Sequence, residues 1–426
     1  MFLYRQMHLN RVSLTNFRNY TRLELTLPDR LLVLQGQNAQ GKTNLLEAIH
    51  LLATGRSPRA VAERELINWL ALESSLPYAR LEADIGEGKD AQRLELVLEL
   101  AANGGAAGPI VRKQVRINGV PKRGLDLIGR LRVVLFLPED VSLVAGAPAE
   151  RRRYLDIMLC QISPAYCRAL AEYTRAVSQR NSLLRRLRDE GGDPAQLDFW
   201  DRQLAESGSL IYGRRDDALR SLDDLAGARH GELSGGERLH LVYLPGFDPG
   251  RPVTDPAGSA PAAKQARIAD ARASYATFPR DEVRQRMVER LHRLRRREIA
   301  AGSSLCGPHR DDIAFVVDEH DLRLFGSRGQ QRTAALALKL AELRFMREET
   351  GDTPLLLLDD VMSELDATRR RSLLDALEEV TQALVTTTDW SDFAPEMLRQ
   401  AHTMRVDGGR LNPGTPSEKG ATVGPT

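Results

Sequence analysis

The chain has 426 residues, 42% of them hydrophobic and 28% charged, with a formal net charge of +2. That length supports a large core and two domains, and near-neutral charge gives no bulk electrostatic signal for a nucleic-acid partner. No apolar run approaches the ~20 residues of a membrane span, the first residues lack a signal-peptide pattern, and Cys160, Cys167 and Cys306 form neither a disulfide framework nor a zinc spacing; a cytoplasmic protein is expected.

Residues 8–27 alternate apolar and polar side chains as a half-buried hairpin does, with Leu9, Val12 and Leu14 in one arm and Leu23, Leu25 and Leu27 in the other. Asn16-Phe17-Arg18-Asn19-Tyr20 joins the arms. Its Arg and aromatics admit two readings, contact with a nucleotide or a turn with two packed rings. Met7 offers a second start of translation, which would leave residues 1–6 outside the natural chain.

The apolar run 31–34 leads into Gly36-Gln37-Asn38-Ala39-Gln40-Gly41-Lys42-Thr43, which matches the phosphate-binding pattern G-x-x-x-x-G-K-[ST] at every fixed position. A helix is expected from Thr43 to Leu52. Gly36 and Gly41 allow a tight bend whose N–H groups, with the helix N-terminus, make a concave anion site. Lys42 is placed to reach β- and γ-phosphates, and the Thr43 hydroxyl to hold Mg2+.

Strands are predicted at Tyr78–Ile85, 92–100 and 111–117, with a Gly/Ala loop tip at 101–109, a tight turn at Asn118-Gly119 and a buried strand at 131–137. From Arg151 the pattern turns helical and highly charged, through 151–188 with Pro164 interrupting early, and again over 197–225. Two long helices joined by a short break predict an antiparallel arm. Cys160 and Cys167, seven residues apart, fall on one helical face and read as core. A strand is expected at Leu239–Leu244, an Ala/Pro/Gly-rich, partly disordered segment at 245–277, and a helix at 281–300. That helix carries Arg290, Arg293, Arg295, Arg296 and Arg297, either a DNA-facing cluster or a solvated face. Of the 60 basic residues only seven are lysine; Arg suits bidentate phosphate contacts, and a codon bias explains the excess equally well.

Strand-like text returns at 313–317 and Leu322–Phe325, followed by a loop and helix over 326–348. The apolar run 355–358 ends in Asp359-Asp360. In a phosphate-loop protein Asp359 would hold Mg2+ and Asp360 would polarise the attacking water. A helix at 366–380 and a strand at 383–386 follow, and the tail 408–426 reads as disordered. Ser327, Gly329 and Gln330 open the helix before the Asp359 strand and offer a second anion site. One phosphate loop and one separate anion site predict two chains sandwiching nucleotide. Leu233-Ser234-Gly235-Gly236-Glu237 is the better literal match to the cassette signature L-S-G-G-Q. It precedes strand text ending in Pro245, and is read as a turn.

These residues resemble the RecF family, itself related to the ATP-binding-cassette heads of chromosome-maintenance and double-strand-break-repair proteins. The carriers are Asn16 to Tyr20, Gly36 to Asn44, Phe136-Leu137-Pro138-Glu139-Asp140 with Arg151-Arg152-Arg153-Tyr154-Leu155-Asp156, Gly307-Pro308-His309-Arg310-Asp311-Asp312, Gly326 to Thr333, and Leu355 to Asp366. The resemblance covers nearly the whole chain. It implies an α/β fold: a phosphate-loop cassette head with a mixed β-sheet, formed by residues 1–150 and 301–407, with an inserted helical arm at 151–300. It also implies an ATP- and Mg2+-binding protein that forms an ATP-dependent homodimer, binds DNA, either single-stranded or gapped or junction duplex, and with RecR helps load RecA in repair of stalled forks and the SOS response. The usual Asp-Glu pair reads Asp359-Asp360, and the usual switch histidine is replaced by Thr386-Thr387-Thr388-Asp389. Both departures imply slow hydrolysis suited to a clamp or timer, and the resemblance implies that DNA stimulates this weak ATPase. Two rival readings remain open, an ATPase subunit of a membrane transporter and a nucleotide-gated scaffold without turnover.

Overall fold

The computed structural model of the chain describes residues 7–101, 110–250, 268 and 278–414. They form two compact units, Met1–Pro138 with Met346–Thr426, and Glu139–Phe345. The second unit extends beyond the expected 151–300 arm on both sides. Strand Asp312–Val317 pairs antiparallel with Leu239–Leu244, which draws residues after 300 into the second unit rather than back into the head.

Two sheets build the first unit. One runs, in spatial order, Tyr20–Thr26, Leu9–Phe17, Tyr78–Ile85, Gln92–Ala101, Ile110–Ile117 and Val120–Lys122, antiparallel throughout. The alternation of the first hairpin is its cause: Val12 faces Leu25 and Leu14 faces Leu23, all four buried. Asn118 and Gly119 both take positive φ, 51° and 76°, as a two-residue hairpin turn requires. Of the predicted loop tip at 101–109, Ala101 ends the strand Gln92–Ala101 and 102–109 lie outside the described residues.

The other sheet runs Arg410–Pro413, His402–Asp407, Leu31–Gln35, Ala383–Thr387, Leu355–Asp359 and Val133–Phe136. All its pairings are parallel except that of the edge strand Arg410–Pro413. Leu355–Asp359 is buried at every position, which explains why it reads as a continuous apolar run. Residues 410–413 are therefore a strand, although the sequence reads as disordered from 408. Their partner strand supplies the order, because Arg410 and Asn412 pair in register with Asp407 and Arg405. Residues 415–426 lie outside the described part.

The second unit is helical around a small sheet. Helices Pro148–Ile162 and Pro164–Glu190 are separate, because Pro164 cannot continue the first and the Ser163 hydroxyl caps the second by accepting the Tyr166 N–H at 3.2 Å. Cys160 and Cys167 are buried as expected but lie on these two different helices. The next helix runs Asp198–Ser234, nine residues past its expected end, and stops at Gly235 with φ 78°. Arg180 meets Asp201, and Tyr166 meets Arg215; the contacts descend one helix as they ascend the other, so the pair is antiparallel. Arg280–Ala301 packs on both. Leu322–Phe325 is one helical turn rather than a strand, because the Asp321 carboxylate accepts the Arg323 N–H and caps it. The expected disordered segment 245–277 is described only at 245–250 and 268.

Buried ion pairs join these helices. Arg180, fully buried, donates to Asp201 at 2.8 Å, Glu298 at 2.6 Å and Ser304 at 2.9 Å. Arg215 donates to Asp311 and Asp156, each at 2.6 Å, and to the Pro308 carbonyl at 2.8 Å. The 307–312 motif thus organises the interior of this unit: Asp311 also accepts from the Tyr243 hydroxyl and the Gly246 N–H, and Arg151 donates to Asp312 at 2.6 Å. Desolvation costs of this size are offset only when every partner is present.

Candidate nucleotide-binding site

Strand Leu31–Gln35 feeds a loop whose last glycine, Gly41 with φ 117°, starts helix Lys42–Thr54. Gly36 lies so close to the neighbouring strand that an added Cβ would fall 2.5 Å from the Val406 carbonyl oxygen. Lys42 is buried, and its ammonium donates to the carbonyls of Gly36 and Gln37. Burial pushes its pKa down, while Asp360 and Asp359 oppose that shift.

Sheet order brings the second carboxylate to this loop. Ala383–Thr387 lies between the phosphate-loop strand and the Asp359 strand, with Thr386 in register with both Leu34 and Asp359. Asp359 Oδ1 accepts the Thr43 hydroxyl at 3.0 Å and the Thr386 hydroxyl at 2.9 Å. Asp360 follows with φ 52°, and its N–H donates to the Thr386 oxygen at 3.0 Å. Asp360 Oδ1 is buried with no hydrogen-bond partner among the described residues. Burial is also the largest cause raising its pKa, with Lys42 acting in the opposite direction. The Thr43 hydroxyl and the Asp359 carboxylate it meets, followed in sequence by a carboxylate with an orphaned buried oxygen, are hard-oxygen donors of the kind that fits Mg2+.

The segment 16–20 props the loop. Phe17 and Tyr20 are fully buried, so of the two readings packing holds. The Tyr20 hydroxyl donates to the Gly41 carbonyl at 2.9 Å, and Asn19 donates to the Gln40 carbonyl at 2.9 Å while accepting from Asn44 at 2.8 Å. Arg18 grips Glu47 with two nitrogens. From the other end of the chain, Gly409 N–H donates to the Gln40 carbonyl and Gly408 N–H to its side-chain oxygen. The sequence reading missed Asn19, Tyr20, Gly408 and Gly409 as supports. A Gly-Gly pair between two strand-like runs is a hairpin signal that could have found the last two.

The residues expected to form a second anion site lie in the second unit. Ser327 caps helix Arg328–Thr350: its oxygen accepts the Gln330 N–H at 3.2 Å, and Gln330 Oε1 accepts the Ser327 N–H at 3.1 Å. This is a reciprocal capping box. Ser234 stands in the opposite setting. It is the last residue of helix Asp198–Ser234 rather than part of a free turn, and its hydroxyl donates to the His230 carbonyl at 2.7 Å. A helix C-terminus presents carbonyls and partial negative charge, unfavourable for phosphate.

The arginine cluster on Arg280–Ala301 is divided. Arg295 is tied to Asp198 and Asp201 at 2.6 and 2.7 Å, whereas Arg293, Arg296 and Arg297 are exposed. Among the described residues no helix is long and apolar enough to cross a membrane.

Residues 8–406 match the family model described as RecF/RecN/SMC N terminal domain. A DNA replication and repair protein RecF from Chloroflexus aurantiacus is 43% identical over 415 residues, covering 95% of this chain and 99% of the relative. The chain belongs to the RecF family. A RecF relative from Roseiflexus castenholzii is 44% identical over 423 residues, covering 96% of this chain and all of its own length. Among solved structures, the recombination mediator protein RecF-ATP in the RecFOR pathway aligns with a TM-score of 0.79 at 31% identity, covering 97% of this chain and 99% of that one. The RecF-ATPrS form aligns with a TM-score of 0.78 over 96% of this chain. The fold is that of the ATP-binding-cassette ATPase heads to which RecF proteins belong.

Proposed function

We propose that this protein binds ATP with Mg2+ at the Gly36-to-Thr43 loop, dimerises through the bound nucleotide, and acts on gapped or junction DNA as a recombination mediator. The observation that carries the reading is the convergence of Lys42, Thr43, Asp359 and the orphaned Asp360 oxygen at one loop. The backbone of Gln37, Asn38, Ala39 and Gln40 would line the phosphates, with Lys42 pairing the β/γ end. Thr43 and Asp359 would hold Mg2+, which when bound neutralises phosphate charge. Asp360 would orient and deprotonate the attacking water.

Ser327, Gly329 and Gln330 would meet the γ-phosphate of nucleotide held by a second copy. Hydrolysis would be slow, since Asp360 is one methylene shorter than the usual glutamate and Thr387 stands near the usual switch position with its hydroxyl engaged by Asp392 at 2.6 Å; stimulation by DNA is the part of this reading carried by the family resemblance alone. Such a cycle suits a clamp or timer. In the cytoplasm it would partner RecR in loading RecA; the family, and the RecFOR pathway named for the RecF-ATP relative, support this part of the reading. Sedimentation with and without ATP, in the presence of gapped or continuous duplex, tests the reading. A monomer under all four conditions overturns it.

A further inference from the structure

The signature-like Ser234-Gly235-Gly236-Glu237 is unsuited to phosphate, yet it touches the site that is suited. Gln330 Nε2 donates to Glu237 Oε1 at 3.2 Å, while Gln330 Oε1 accepts the Ser327 N–H. We propose that Glu237 is a positioning residue for the Ser327 half-site, acting through the Gln330 amide; this rests on the reading that Ser327 meets nucleotide held by a second copy.

The chemistry of the three side chains gives the direction. A carboxylate only accepts hydrogen bonds. Glu237 therefore fixes which end of the Gln330 amide faces it, and Oε1 is left for the Ser327 backbone. The Ser327 oxygen accepts from Gln330 N–H, so its own proton remains to be donated outward. A γ-phosphate, rich in acceptors and without donors, accepts that hydrogen bond. With the amide reversed, Nε2 would oppose the Ser327 N–H, donor against donor, and the capping box would open.

Glu237 is itself held in place. Its N–H donates to the Ser234 oxygen at 3.1 Å, and the Gly236 N–H donates to the Gly231 carbonyl at 2.9 Å. Gly235 and Gly236 take φ of 78° and 113°, conformations that residues with a Cβ rarely adopt. The two glycines thus serve a C-cap that presents Glu237 to Gln330.

Sedimentation of the full chain with ATP and Mg2+ tests the relay. Glu237→Ala should raise the dimer dissociation constant about tenfold, the worth of a hydrogen bond to a charged group, without changing ATP affinity of the monomer. Glu237→Gln, whose amide oxygen can still accept, should restore most of the loss. Gln330→Ala should weaken the dimer as much as Glu237→Ala does, and the double variant no further. If Glu237→Ala lowers the melting temperature, Glu237→Asp, which withdraws the acceptor by one methylene, replaces it in the cycle. Unchanged or tighter dimerisation of Glu237→Ala, or additive losses in the double variant, overturns the proposal. Ser327→Arg separates the two levels. If it dimerises normally the half-site reading fails; if it stays monomeric while the Glu237 and Gln330 losses add, only the relay fails.

Discussion

The Thr43 hydroxyl donates to the Asp359 carboxylate at 3.0 Å across 316 positions of sequence. The contact exists because strand Ala383–Thr387 lies between their strands in parallel register. Thr386 on that strand donates to the same carboxylate oxygen. The carboxylate is thus oriented before any ligand arrives, as the proposed Mg2+-holding role would require.

Lys42→Met should abolish tight ATP binding and leave the fold intact. The ammonium is buried and held by loop carbonyls, so a phosphate need only replace those acceptors. Losing a desolvated charge partner should cost about 2–5 kcal/mol of binding. Isothermal titration with ATP and Mg2+ measures it, and unchanged affinity would count against the site.

Asp360→Asn should keep ATP affinity and slow phosphate release, lengthening the life of the ATP-bound dimer. Its Oδ1 has no partner among the described residues, so the amide removes water activation with little structural loss. Single-turnover phosphate release and dimer dissociation are the measurements; a wild-type dissociation rate removes Asp360 from the role.

His309 should make the second unit sensitive to mild acid. Its Nδ1 faces the Tyr173 hydroxyl at 2.7 Å and its Nε2 the Ser304 carbonyl at 3.1 Å, and burial pushes its pKa down to about 4. The folded pKa lies below the unfolded value of about 6.5, so the unfolded state binds the proton more readily. The stability at stake is intact above pH ~6.5 and is lost as pH falls towards 4, up to about 3 kcal/mol. Burial raises Asp311, which acts in the opposite direction, so the test is a difference: urea midpoints of parent and His309→Gln at pH 7 and pH 5. The variant should lose less on acidification.

Replacing Arg293, Arg296 and Arg297 with Gln should flatten the salt dependence of DNA binding. Every arginine that meets a phosphate should account for ~0.9 of the log–log slope on duplex. Arg295 is left intact because it braces Asp198 and Asp201. An unaltered slope measured by fluorescence anisotropy assigns the cluster to a solvated face.

Elements with local causes were legible in the amino-acid sequence alone. The loop from Gly36 to Thr43, the alternating hairpin, the apolar Asp359 strand, the break at Pro164 and the Asn118-Gly119 turn all belong here, because periodicity, glycine and proline act within a few residues. Whatever depends on neighbours distant in the chain was settled by packing. Arg410–Pro413 is ordered only because His402–Asp407 pairs with it. Gly408 and Gly409 support Gln40 only because that pairing carries them to the phosphate loop. The motif at 307–312 reads as a row of polar residues. Only the folded interior shows that Asp311 and Asp312 answer the buried charges of Arg215 and Arg151. Ser234 and Ser327 differ little as letters. What separates them is the end of the helix on which each one sits, since phosphate is attracted to free N–H groups and repelled by free carbonyls.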